Sequence, residues 1–176
     1  MDVRAFNDLS PAEATEIVGV WAAIPAWVGG VVAGRPYASA AELEASAAAA
    51  AGDWTRADLD AALAHHPRIG ERPGGAGAEA DASRREQAAM TDAAADVAAR
   101  IAAGNAAYEE RFGRVFLIRA AGRSPEEMLA ELERRLGNDD ETEAREAIEQ
   151  LRQIALLRLR TSVTDASETD PEGDSA

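Results

Sequence analysis

Three times in this chain a serine stands three residues before a glutamate at the head of a periodic apolar segment: "SPAE" from Ser10, "SAAE" from Ser39 and "SPEE" from Ser124. The first N–H groups of a helix have no partner within the helix, and this spacing lets a serine hydroxyl and a glutamate carboxylate satisfy them reciprocally. Two of the three also carry proline at the first helical position, where its missing N–H costs nothing. "TRAD", from Thr55 to Asp58, repeats the pattern with the shorter acid. Apolar residues follow each start at spacings of three and four, alanine, leucine, glutamate and arginine dominate, and β-branched and aromatic residues are scarce. Such a chain reads as an all-α, single-domain bundle of about six or more helices.

The pattern predicts helices over 11–24, 40–51, 56–65, 83–111, 125–136 and 140–160, with Gly104 as the weak point of the longest. The last carries Ile148, Leu151, Ile154, Ala155 and Leu159 on one face. Between two helices, "RVFLIRAAGRS" (114–124) has an apolar run of only four residues and no partner strand. It reads as buried extended backbone. Residues 67–82 form a long loop without helical pattern, of a length that is often functional in compact domains.

At 176 residues and 47% hydrophobic content the chain suits one domain, expected over 1–161. The remainder, 162–176, holds five acids and a single aliphatic residue larger than alanine, and is expected to be a disordered acidic tail. No run of apolar residues is long enough to span a bilayer, and the start lacks the basic and apolar regions of a secretory signal, so a soluble cytoplasmic protein without membrane partners is expected. The net charge of −14 and the lack of a basic stripe argue against nucleic-acid binding.

Absent residue types narrow the chemistry. No cysteine is present, which excludes thiolate nucleophiles, disulfides and cysteine metal sites. All 18 basic residues are arginine, so no lysine Schiff base can form. The two histidines, His65 and His66, are adjacent, which is poor spacing for helical metal ligands; composition does not exclude a carboxylate-only magnesium site, but no motif supports one, and no metal site is expected.

His66 precedes Pro67, so the helix containing it should end there. One histidine at such an end can simply cover the last carbonyls, a role that suits His65 better. "SRRE" from Ser83 matches the capping boxes and can be another cap. Gln87, beside Glu86, is more than a cap requires. A helix start bearing Ser83, Glu86 and Gln87, with His66 facing it across the loop, makes a compact polar pocket. Arg119, Arg123 and Arg158 can be surface charges with stems on the core, and Trp21, Trp27, Trp54, Asn105 and Tyr108 can be core or core-edge residues. These residues alone name no substrate.

"HPRIGE", "SRREQ", "GNAAYEERFGRVFLIRAAGRS", "LERRLGND" and "QIALLRL" occur in the order and spacing of the 2-oxo-4-hydroxy-4-carboxy-5-ureidoimidazoline (OHCU) decarboxylases of uric acid breakdown. With "IPAWVGGVVAGRPYAS" upstream, the chain resembles that family over about residues 10 to 160. The resemblance implies an all-α, cofactor-free enzyme, usually a homodimer, that converts OHCU to (S)-allantoin and carbon dioxide. It implies His66 and Glu86 as catalytic residues, with substrate contacts from Pro67, Ser83, Arg84, Arg85, Gln87, the backbone of Ile118, Arg119, Ala120, Ala121 and Gly122, and Arg158. Arg160 competes with Arg158 for the last role. Many members read H-P-D-L where this chain has arginine and isoleucine after His66-Pro67, a form associated with bacterial members.

In OHCU the departing carboxylate sits on a carbon beside a ring C=N bond, which can accept the released electrons. Proton management remains, and an imidazole with a pKa near neutrality suits it. Because only interactions stronger in the transition state accelerate chemistry, the Ser83 helix start and Gln87 are expected to hold the ring and ureido groups, with the carboxylate near Glu86 or an apolar wall. A helical binding module without turnover, or a hydrolase of a related ureide, are the competing readings.

Overall fold

The structure, a computed structural model, describes residues 1–63, 68–70, 78–86, 88, 90 and 93–165, and of residues 79, 80, 84 and 86 the backbone alone. Nine helices occur among the described residues: α1 (Val3–Asp8), α2 (Pro11–Trp21), α3 (Pro25–Ala33), α4 (Ala40–Ala51), α5 (Arg56–Leu63), α6 (Ala78–Glu86), α7 (Ala95–Phe112), α8 (Pro125–Arg135) and α9 (Asp140–Ser162). The fold is all-α, as expected.

Five of the six predicted starts hold, those of α2, α4, α5, α8 and α9, because their caps rest on bonds three residues long. Ser10 and Ser124 form complete capping boxes with Glu13 and Glu127. Thr55 and Asp58 do the same, with Asp58 Oδ2 accepting from the Thr55 N–H at 2.8 Å. Ser39 caps α4, but Glu42 reaches past it to the Ala38 N–H.

The differences lie where local signals were weak or misleading. α2 stops at Trp21 because Ile24 precedes Pro25 and is extended, and Pro25 then starts α3, which the sequence reading left out. The buried series Trp27, Val28 and Val31 was its signal. α1, six residues capped by Asp2, was too short to show a period. The expected helix over 83–111 is two, α6 and α7, and the break falls before Ala95 rather than at Gly104. α6 begins at Ala78, so five residues assigned to the long loop are helical. Residues 64–67 and 71–77, including the proposed end of α5 at His66, lie outside the described residues.

α9 passes through the first of two cores, packing against α2, α4 and α5. That core includes Phe6, Val18, Trp21, Trp27, Leu43, Leu59, Leu151, Ile154 and Leu159. The second lies between α7 and α8 and includes Ile101, Tyr108, Phe112, Met128 and Leu132. Of the stretch expected to be extended, 114–124, residues 115–120 are neither helix nor turn and join the two cores, Val115 and Leu117 packing in the first and Phe116, Ile118 and Ala120 in the second, whereas Arg114 lies in a bend and Ala121 and Gly122 in a turn. Extended backbone alternates its side chains, so one strand-like stretch serves two cores.

Residues 162–165, assigned to the tail, are part of the fold. Val163 is buried, Thr164 pairs with Asp2 in a parallel bridge, and the Asp165 carboxylate accepts from the Ala40 N–H at 2.8 Å. Residues 162–165 belong to the fold because the first helix lends them a backbone partner. Residues 166–176 lie outside the described residues.

Candidate active site

The 114–120 segment has no strand beside it among the described residues, so its polar groups depend on side chains. Arg135, at the end of α8 and 0% exposed, donates from Nη1 to the Leu117 carbonyl at 2.7 Å. Its Nε and Nη2 bind the Glu143 carboxylate, also fully buried, and the Tyr108 hydroxyl donates to the same carboxylate. Asn138 Nδ2 adds a 2.9 Å bond to Glu143 Oε2, and the Arg135 guanidinium lies 4.7 Å from the Phe116 ring centroid. Burial, and then the bond to Glu143, push the Tyr108 phenol well above its ordinary pKa, so it stays a donor. Every member of this buried network has a partner, which is the condition for such a network to order a structure.

Beyond it, Ala120 to Arg123 form a turn closed by a 3.0 Å bond from the Arg123 N–H to the Ala120 carbonyl. Gly122 sits in it at φ +80°, a conformation that favours glycine.

This turn faces a cavity of about 630 Å³ lined by Met1, Val20 and Trp21 from the α1–α2 side, Ala82 and Arg85 of α6, Ala121 of the turn, and Leu157, Arg158, Thr161 and Ser162 of α9. The volume falls in the range of small-molecule sites, roughly 300–1,000 Å³. Both charged side chains in its described lining are arginines. On a chain of net charge −14 such a cavity favours an anion.

Arg158, 7% exposed, donates from Nη1 to the Val20 carbonyl at 2.8 Å and from Nη2 to the Ser83 hydroxyl at 3.4 Å. Arg160 points away, exposed and paired with Glu44 at 2.6 Å. Of the two arginines, the cavity contains Arg158.

Ser83 was expected at a helix start. It is the sixth residue of α6, 1% exposed, because the alanine-rich stretch before it is itself helical. The expected cradle of N-terminal amides around Ser83 is therefore absent, and with it the reason for placing ring and ureido groups there. The serine contributes its hydroxyl alone. Ala82 and Arg85 share the cavity face of α6 at a spacing of three. Arg84 and Glu86 lie in α6, with side chains outside the described residues, as are His65, His66, Pro67 and Gln87 entirely.

Ile118 and Ala120 are buried in the second core, and Ala121 reaches the cavity wall. Arg119 does not line the cavity. Its guanidinium folds back to the Ala121 carbonyl at 2.8 Å. Met1, Val20, Thr161 and Ser162 were missed. Thr161 could have been found by counting three residues on from Arg158, whereas Met1 and Val20 carry no local signal.

A sequence profile of the OHCU decarboxylase family matches residues 7–160. The 2-oxo-4-hydroxy-4-carboxy-5-ureidoimidazoline decarboxylase of Amia calva is 38% identical over 163 residues, covering 91% of this chain and 93% of that protein. The enzyme of the same name from Haloferax volcanii is 32% identical over 130 residues, covering 71% and 73% respectively. A crystal structure of OHCU decarboxylase in the presence of (S)-allantoin superposes with a TM-score of 0.68 at 23% identity, over 81% of this chain and 94% of that one, and so shares the fold. The chain belongs to the OHCU decarboxylase family, carboxy-lyases of uric acid degradation.

Proposed function

We propose that the cavity between α2, α6, α9 and the Ala120–Arg123 turn is where OHCU loses carbon dioxide to give (S)-allantoin. The observation that carries this reading is the buried Arg158–Ser83 contact at the cavity wall, which joins two residues the family resemblance singles out.

The carbon–carboxylate bond breaks, its electron pair forms a C=C bond to the neighbouring ring carbon as the C=N pair passes to nitrogen, which takes up a proton, and the resulting enol gives up its hydroxyl proton while the former C=N carbon is protonated from one face. His66 transfers that proton, since an imidazole near its ordinary pKa both accepts and donates at neutral pH, help worth about 10²–10⁴-fold in rate. Glu86 orients His66 or accepts from the substrate hydroxyl, and Pro67, Arg84 and Gln87 complete the substrate contacts.

Negative charge leaves the carboxylate and grows on the ring during the reaction. Arg158 and Ser83 face the ring, where their interaction strengthens as the barrier is climbed. The N–H groups of Ala121, in the cavity wall, and of Gly122 beside it face a substrate carbonyl. Arg85 at the rim draws in the anion. This arrangement replaces the one built on a helix start at Ser83. The reaction needs no external electron sink, and the enzyme works as a cytoplasmic homodimer.

The test generates OHCU in situ from urate with urate oxidase and hydroxyisourate hydrolase and follows circular dichroism with this protein and with His66→Gln. Rapid formation of optically active (S)-allantoin by the parent, lost in the variant, is the expected result. Racemic product at the uncatalysed rate from the parent, or full activity in the variant, would overturn the reading.

A further inference from the structure

The turn that brings Ala121 to the cavity is not held by its own backbone alone. Among the described residues its flanking segment has no strand partner, and the Arg119 N–H is satisfied instead by Gln150 Oε1 of α9, at 2.9 Å. Arg119 then makes two further bonds, from Nε to Gln153 Oε1 at 3.3 Å and from Nη1 to the Ala121 carbonyl at 2.8 Å. One side chain of α9 fixes the backbone at residue 119, and the side chain of residue 119 fixes the backbone at residue 121.

The helix register explains why α9 can do this. Residues seven and eleven positions beyond Gln150 return to nearly the same helical face, and these are Leu157 and Thr161, both in the cavity wall. A single stripe of α9 therefore forms one wall directly and supports the opposite turn through a hydrogen bond. α9 does not need the bond for its own stability, since Gln150 is half-buried and its backbone lies inside the helix.

We propose that Gln150 is a positioning residue for the substrate pocket, acting through Arg119 to hold the Ala120–Arg123 turn, and with it Ala121, at the distance substrate requires. The inference rests on the reading of this cavity as the OHCU site. It concerns the acceptor oxygen of Gln150 and makes no demand on its amide nitrogen, for which no partner is found among the described residues.

That asymmetry supplies the test. Gln150→Met keeps the length and removes the acceptor, while Gln150→Glu keeps an acceptor in place. The two variants, Arg158→Gln and the parent are compared in OHCU turnover, with kcat and KM separated, at about 0.15 M salt so that the added charge is partly screened. Helical circular dichroism and thermal unfolding are recorded alongside. Gln150→Met is expected to raise KM on the order of fivefold with helical content unchanged, and Gln150→Glu to stay within about twofold of the parent. A mere loss of folded enzyme lowers the apparent kcat and leaves KM alone.

An unchanged KM in Gln150→Met, or equal increases in both variants, would overturn the positioning role while impairment of Arg158→Gln upheld the cavity as the site. Unimpaired Arg158→Gln would instead overturn the reading of the cavity, and this inference with it.

Discussion

The guanidinium of Arg158 and the hydroxyl of Ser83 meet at 3.4 Å, linking α9 to α6 across 75 residues of sequence. Both side chains are buried, and the same guanidinium holds the Val20 carbonyl at 2.8 Å. A planar fork reaching two elements at once is not replaced by an ammonium group. Arg158→Lys should lower kcat/KM by about 10²-fold, and Arg160→Lys should leave it within about twofold. Because Ser83 and Arg158 act together, Ser83→Ala combined with Arg158→Lys should cost less than the sum of the two, as measured in a double-mutant cycle.

Arg85 lines the cavity, and its side chain belongs to an exposed residue. If it attracts an anionic substrate to an acidic protein, Arg85→Glu raises KM. The increase should be several-fold at about 0.02 M salt and should shrink at about 0.3 M, as the Debye length falls. Initial rates across a salt series check this.

Among the described residues, Glu143 is the only charged partner that the fully buried Arg135 has at close range, Glu146 lying 4.0 Å away. Glu143→Gln leaves that guanidinium largely uncompensated and should cost about 3–5 kcal/mol in urea unfolding. Replacing both residues, with Arg135→Met added, should recover part of the loss. The Leu117 carbonyl then lacks its donor, so activity should not recover with it.

Gly104 lets α7 approach α8. A Cβ there would stand 2.6 Å from Cδ2 of Leu132, a residue with no exposed surface. Helix propensity favours Gly104→Ala by about 1 kcal/mol, and overpacking opposes it by about 1–3 kcal/mol. Since Leu132 is fully buried and its Cγ as well as its Cδ2 would be crowded, any shift there disturbs the core around it, overpacking wins, and the variant should unfold at lower temperature. Adding Leu132→Val should relieve part of the strain.

Arginine side chains hold several carboxylates below their ordinary pKa values: Arg68 that of Glu109, Arg134 those of Glu131 and Glu146, and Arg160 that of Glu44. A carboxylate depressed in the folded state contributes stability above its unfolded pKa, near 4.3 for glutamate, and loses it as pH falls through the folded value. Thermal stability should therefore vary little with these groups above about pH 5.5 and fall steadily below about pH 4.5. Glu109→Gln should make the acid limb shallower in a series of melts.

What the sequence exposed and what it hid follow from the range of the forces involved. The starts of α2, α5 and α8 were legible because each cap bonds residues three apart, whatever the rest of the chain does. The same pattern misled at Ser83, where "SRRE" has the form of a cap but continues a helix begun at Ala78. Arg158 could have been preferred to Arg160, since it lies seven residues beyond buried Leu151 and Arg160 sits about 200° further round the helix.

The chain by itself determined an all-α class, most helix starts, the non-helical, apolar 115–120 segment and membership of a decarboxylase family, all carried by local bonds, periodicity and ordered motifs. Tertiary structure decided that Val20, Arg85, Ala121 and Thr161 share one cavity and that Gln150 reaches Arg119. It also buried Tyr108, Arg135 and Glu143 as one network beneath the segment leading to the Ala120–Arg123 turn. Those contacts join helices whose spacing is set by two packed cores, and no propensity of a single segment encodes the distance between them.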